Sequence, residues 1–135
     1  MTRASILILT ATMALVAFSA SLSAKPALKD VAHVREGIIT VGIAYEISER
    51  CDTIRARTLR GINFLSGLKN HARSLGYSDA EIDAYVDDSA EKNRLEGIAR
   101  ARLSDMGAVT GDAASYCTVG RGQIAANTSI GRLLR

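Results

Sequence analysis

Tryptophan is absent, and only four Tyr and two Phe are spread over the 135 residues. Cell-wall glycosidases need a long substrate cleft with two carboxyls at set separations, usually lined by aromatic platforms, so this scarcity argues against that class. It also leaves Leu, Ile, Val and Ala to fill the core. Cysteine occurs twice, as Cys51 and Cys117, 66 positions apart. With no Cys-x-x-Cys and no Cys-x-x-Cys-His, thioredoxin-type redox chemistry and haem attachment lose their motifs. Histidine is limited to His33 and His71, isolated in the chain where zinc wants about four ligands at short spacings. Neither stands in a recognisable Ser or Cys arrangement, so a catalytic triad has no support. Asp79, Asp83, Asp87 and Asp88 gather acid, but no Asp-x-Asp-x-Asp-Gly loop is present to hold calcium. No cofactor is expected. The charge is nearly balanced at a formal +3, which gives no global pull toward nucleic acid.

Long apolar runs are missing too. Residues 6–18 form the longest, 13 residues with Thr10 and Thr12 inside it, against the roughly 20 needed to span a bilayer. Arg3 precedes this run, and the small residues of "SASLSA" follow it. That three-part layout predicts a cleaved secretory signal peptide over residues 1–24. Cleavage is expected after Ala24, or after Ser23, because Leu22 is a poor fit three residues before a cut at Ala24. Residues 25–135 are then one domain, large enough for one thin core. No transmembrane anchor is expected after cleavage, and the mature protein is expected in the periplasm.

Export puts the two cysteines in an oxidising compartment, where disulfides persist. A Cys51–Cys117 staple is the reading this favours. Two buried thiols, or intermolecular and redox roles, are the alternatives.

What the sequence does carry is helical periodicity. The only proline, Pro26, stands just past the expected cut. Val31, Val34, Ile38, Val41, Ala44, Ile47 and Cys51 recur at spacings of three and four, widened by Ile39 and Ile43, and predict a first helix with Asp30 as its cap. Asp52 is placed to cap a second, lined by Ile54, Thr58, Ile62, Leu65, Leu68, Ala72 and Leu75 and ended by Gly76. Ser78 and Glu81 form a capping box, with Tyr77 and Ile82 placed as a hydrophobic staple. A third helix runs on to Met106, with Gly107 as its stop. Gly111-Asp112 reads as a turn and cap before a brief helix through Cys117, and Ile124, Ile130, Leu133 and Leu134 require the tail to dock. The expected fold is all-α: a small helical bundle of three longer helices plus a short C-terminal helical segment, with one disulfide.

The stretches "RCDTIRARTLRGINFLSGLKNHARSLGYSDAEIDAYVDD", "SYCTVGRGQIA" and "SIGRLLR" resemble domain-of-unknown-function family 5333, small exported bacterial proteins. The resemblance covers nearly all of residues 25–135. It implies a Gram-negative exported protein and carries no activity, ligand or catalytic residue with it.

Two charged groups are candidates for function. Asp87, Asp88 and Glu91 stand on neighbouring turns, where paired carboxylates would suit hydrolysis; the plainer reading is a solvated helix face. Arg50, Arg55, Arg57, Arg60, Lys69 and Arg73 surround the second helix, with Asp52 the only acid among them. They form a candidate face for an anionic partner, or an internal complement to the acidic start of the third helix. Arg55 and Arg57 diverge, since residues two apart leave a helix on different faces. The function that fits best is a non-enzymatic binding or structural module for an envelope protein or an anionic envelope component, a stress chaperone being one form of it. The alternative is a small envelope hydrolase or an inhibitor of one.

Overall fold

The computed structural model describes residues 24–135. The expected leader, apart from its last residue, lies outside the described residues. Five α-helices are present: α1 (Ala32–Arg50), α2 (Thr58–Ser74), α3 (Asp79–Asp87), α4 (Ser89–Asp105) and α5 (Ala113–Ala125). Short 3-10 turns at Leu28–Asp30 and Gly131–Leu133 flank them. Among the described residues no strand forms, only isolated bridges between Ala56 and Leu134 and between Val109 and Asp112.

The all-α expectation and the single disulfide hold, but the count of helices does not. The expected third helix is two. Asp88 takes extended backbone, and its carboxylate accepts the backbone N–H groups of Ala90 and Glu91. It caps α4 and so ends α3, because an Asp offered orphan N–H groups competes well with helix continuation. The C-terminal helix is also longer than expected, running well past Cys117 after the Asp112 cap.

The second helix starts later than its pattern suggests. Arg55 and Arg135 exchange backbone hydrogen bonds of 2.8 and 2.9 Å, and the Arg57 N–H donates to the Leu133 carbonyl at 2.8 Å. Residues 55–57 are thereby committed to the C-terminal tail and cannot be helical, so Asp52 caps nothing. Asp30 likewise sits in the turn before α1, whose N-cap is Val31. The other punctuation is as read. Gly76 and Gly107 hold the left-handed φ values of 87° and 103°, and the Ser78–Glu81 capping box is complete.

Helix α1 is the centre, touching α2, α4, α5 and both turns. Its Ile39, Ile43 and Ile47, spaced by four, are almost fully enclosed, with Leu95, Ala99 and Leu103 of α4 and Tyr116 and Val119 of α5. A smaller cluster of Leu28, Val34, Ala72, Tyr77 and Ile82 closes the other end. The disulfide joins Cys51, at the end of α1, to Cys117 in α5, with their Cα atoms 5.1 Å apart. Leu133 and Leu134 are buried beside it, whereas Ile124, expected to pack, is partly exposed. Gly131 is required at this corner, since a Cβ there would collide with the Gln123 carbonyl.

Candidate functional site

Helices α2 and α4 flank α1 and make at most slight contact with each other. The space between them is an apolar cleft of about 690 Å³, within the usual ~300–1,000 Å³ of small-molecule sites. Its floor is a second stripe of α1, Val34, Ile38, Val41 and Tyr45, at one edge of the Ile39–Ile43–Ile47 core stripe. Ile62, Leu65, Leu68 and Ala72 of α2 form one wall. Ile82 and Val86 of α3, with Leu95 and Ala99 of α4, form the other.

The cleft is pinned at one end and open along its length. At the pinned end Leu68 of α2 is pressed against Gly37 of α1, where a Cβ would lie 2.5 Å from the Leu68 Cδ1. Farther along, Ile62 is 53% exposed, Leu65 41% and Tyr45 57%, and Val86 on the opposite wall is 63% exposed. The regular α2 stripe is therefore buried only at Leu68 and Ala72. Single exposed apolar residues are ordinary, but a contiguous set in a concave surface marks a binding site.

The rim is charged, and its charges are mostly committed. Lys69 bridges to Asp83 at 3.3 Å from α2 to α3. Glu46 faces Arg50 at 3.5 Å, and Glu96 faces Arg100 at 3.7 Å. Glu91, the one buried charged side chain among the described residues, accepts a two-pronged bond from Arg94 at 2.7 and 2.8 Å. Arg94 holds the Glu91 carboxyl below its ordinary range despite burial. The Tyr85 hydroxyl also donates to Glu91, and burial, followed by the Glu91 charge, pushes that phenol up to about 12. Lys92 is the only charged residue lining the cleft that has no ion pair among the described residues.

The basic residues singled out in the sequence do not gather into one face. Arg57 donates to the Leu134 carbonyl at 2.8 Å, and Arg60 to that of Arg132 at 3.3 Å, so both hold the tail. Lys69 pairs with Asp83, and Arg73 binds Asp79 at 2.7 Å, across to α3. The Arg73 contact holds the Asp79 carboxyl below its ordinary range. Arg50 belongs to α1 and faces Glu46, while Arg55 is exposed beside the tail. Of the acidic trio, Asp88 is a cap, Glu91 is paired, and Asp87 is exposed at the end of α3.

Two features escaped sequence reading. The histidines, far apart in the chain, meet edge to face between α1 and α2, with ring centroids 4.5 Å apart. A second depression, of about 610 Å³, lies where the N-terminal segment crosses α3 and α4. There Lys25 pairs with Glu81 at 2.8 Å and sits over the Tyr77 ring, whose hydroxyl donates to the Pro26 carbonyl. The Lys25 ammonium, then the Ser78 N–H, draw the Glu81 carboxyl down to about 2.

No helix among the described residues is long and apolar enough to cross a membrane, and no group of three or more His, Cys, Asp or Glu is placed to hold a metal. A family model described as a family of unknown function (DUF5333) matches residues 26–135, all but the first 25 of the chain. No curated protein and no solved structure matches.

Proposed function

The chain belongs to the DUF5333 family, and we propose that it is a non-enzymatic binding module of the bacterial envelope, working in the periplasm after removal of its leader. The observation that carries this reading is the cleft: a concave apolar surface whose acidic groups are all tied into ion pairs. A hydrolytic site needs convergent polar groups with an acid or base free to act. Of the acidic trio, Asp88 is instead occupied as a cap and Glu91 in an ion pair, while Asp87 stands exposed at the end of α3. That weighs against the small hydrolase as the alternative. The pairing of Lys69 with Asp83 and of Arg73 with Asp79 favours an internal complement to the acidic start of the third helix, while Arg57 and Arg60 are engaged with tail carbonyls. Export is supported by the charged start and short apolar run and by a disulfide of the kind oxidising compartments keep.

A neutral dye that brightens on leaving water tests the cleft directly. The folded, oxidised protein is expected to bind it at one site. Ile62→Glu with Leu65→Glu, both on the exposed part of the α2 wall, is expected to abolish binding while helical content is kept. Unchanged dye binding in the folded double variant would remove the proposal.

A further inference from the structure

We infer that the cleft takes a single-chain anionic amphiphile, a long-chain fatty acid, with its tail along the α1 floor and its carboxylate at Lys92. This rests on the reading of the cleft as a binding site and names its guest.

Charge is the first ground. Each acid on the rim already has a basic partner, and Lys69 has an acidic one. Lys92 remains, an exposed ammonium without a counter-ion among the described residues. It is aimed at the cleft by its register: Lys92, Leu95, Glu96 and Ala99 line the cavity from α4, and spacings of three, four and seven put them on one helix face. An apolar trough with one uncompensated cation at its edge complements a long apolar tail ending in an anion.

Shape is the second ground, and it suits a thin, single-chain guest. From Val34 to Tyr45 the floor runs roughly 16 Å at 1.5 Å per residue. A helix with its side chains is roughly 10–12 Å across, so that length of helix fills roughly 1,300–1,800 Å³. The cleft holds about 690 Å³. A helix would overfill it, whereas an unbranched alkyl chain is thin enough to lie within.

The test titrates the oxidised protein with dodecanoate, dodecyl maltoside and dodecyltrimethylammonium, all below their micelle concentrations, following methyl resonances by NMR. Dodecanoate is expected to bind most tightly and to shift the Ile62, Leu65 and Leu95 methyls. Lys92→Glu, an exposed change that leaves the fold alone, is expected to weaken dodecanoate by roughly five-fold or more, the scale of one exposed attraction lost and one repulsion gained. The same variant should leave dodecyl maltoside unchanged. Equal binding of the three amphiphiles, insensitive to Lys92→Glu, would overturn the fatty-acid inference and leave the cleft as an apolar site. Shifts that bypass Ile62 and Leu65 altogether would overturn both. An amphipathic helical peptide that occupies the cleft where all three amphiphiles fail would overturn the inference in favour of a protein partner.

Discussion

Leu65 and Leu68 stand three apart on the same apolar stripe of α2, and their truncation separates core from cleft. Leu68 is 5% exposed and is packed against Gly37. Leu68→Ala removes buried methyl groups and opens a void that the Gly37 backbone cannot fill, so its expected cost is about 2–4 kcal/mol. Leu65 is 41% exposed. Truncating it loses only part of a transfer worth about 0.8 kcal/mol per methylene, and no sealed cavity results because water already reaches the site. The expected cost is about 0.5–1 kcal/mol, and Ile62→Ala should match it. Urea unfolding at constant m-value measures both, the shift in midpoint giving the difference. Leu65→Gln sharpens the test, since a half-solvated position tolerates a polar end and should cost about as little as Ala. If Leu65→Ala destabilises as much as Leu68→Ala, the cleft is closed in solution and the functional reading built on it falls.

Cys51→Ser and Cys117→Ser should each lower stability by about 2–4 kcal/mol, since the bond closes a long loop in the unfolded chain. The double variant should cost no more, and amide exchange should quicken first from Tyr116 onward. Gly131→Ala should cost about 1–3 kcal/mol through its collision with the Gln123 carbonyl. Gly67→Ala, in α2 with open space around the added methyl, should add about 0.5–1 kcal/mol; equal effects of the two would refute the packing argument. Arg102 and Arg94 hold Glu36 and Glu91 below the ordinary 4.5. The stability these pairs give is therefore present above pH 4.5 and lost as pH falls through the depressed values. Glu91→Gln should flatten that acid limb, and an unaltered pH profile would remove Glu91 from it. Intact-mass measurement of protein from the periplasm should find the N-terminus at Ala24 or Lys25, and full-length chain in the membrane fraction would contradict export.

The elements the sequence marked well are those whose signals are local. The Ser78–Glu81 box, the Asp112 cap and the left-handed Gly76 and Gly107 each depend on a few neighbouring residues, and each forms as read. The errors arise where distant chain intervenes. Residues 52–57 have a helix-compatible pattern, but the tail takes the backbone groups of Arg55 and Arg57, a partnership 76 to 80 positions away that no local window contains. The break at Asp88 is a near case. "DDSAE" holds a cap and an acidic third position, and no large apolar residue stands between Val86 and Leu95, nine positions that would put the two on opposite sides of one continuous helix.

The cleft was hidden for a more general reason. Periodicity reports which residues share a face, and says nothing about whether another element covers that face. Ile62, Leu65, Leu68 and Ala72 have one spacing and two fates: Leu68 packs on Gly37 and Ala72 is buried, while Ile62 and Leu65 stay open. The sequence held a counting argument that points the same way. Helix α1 is apolar over more than one stripe, with Ile38 and Val41 beside Ile39 and Ile43, and therefore asks for neighbours around much of its circumference. Helix α4 answers on one side and α5 near the Cys51 end. Toward α3 the short third helix leaves Val86 exposed and does not bring α4 across to α2. Among the described residues no further helix lies over the remaining stripe. Apolar surface left open in this way weakens the folded state, since its burial would contribute about 25 cal/mol for each Å² covered. A stripe kept apolar at that cost, and bordered by a lone lysine, is better explained by a guest than by a deficit in packing.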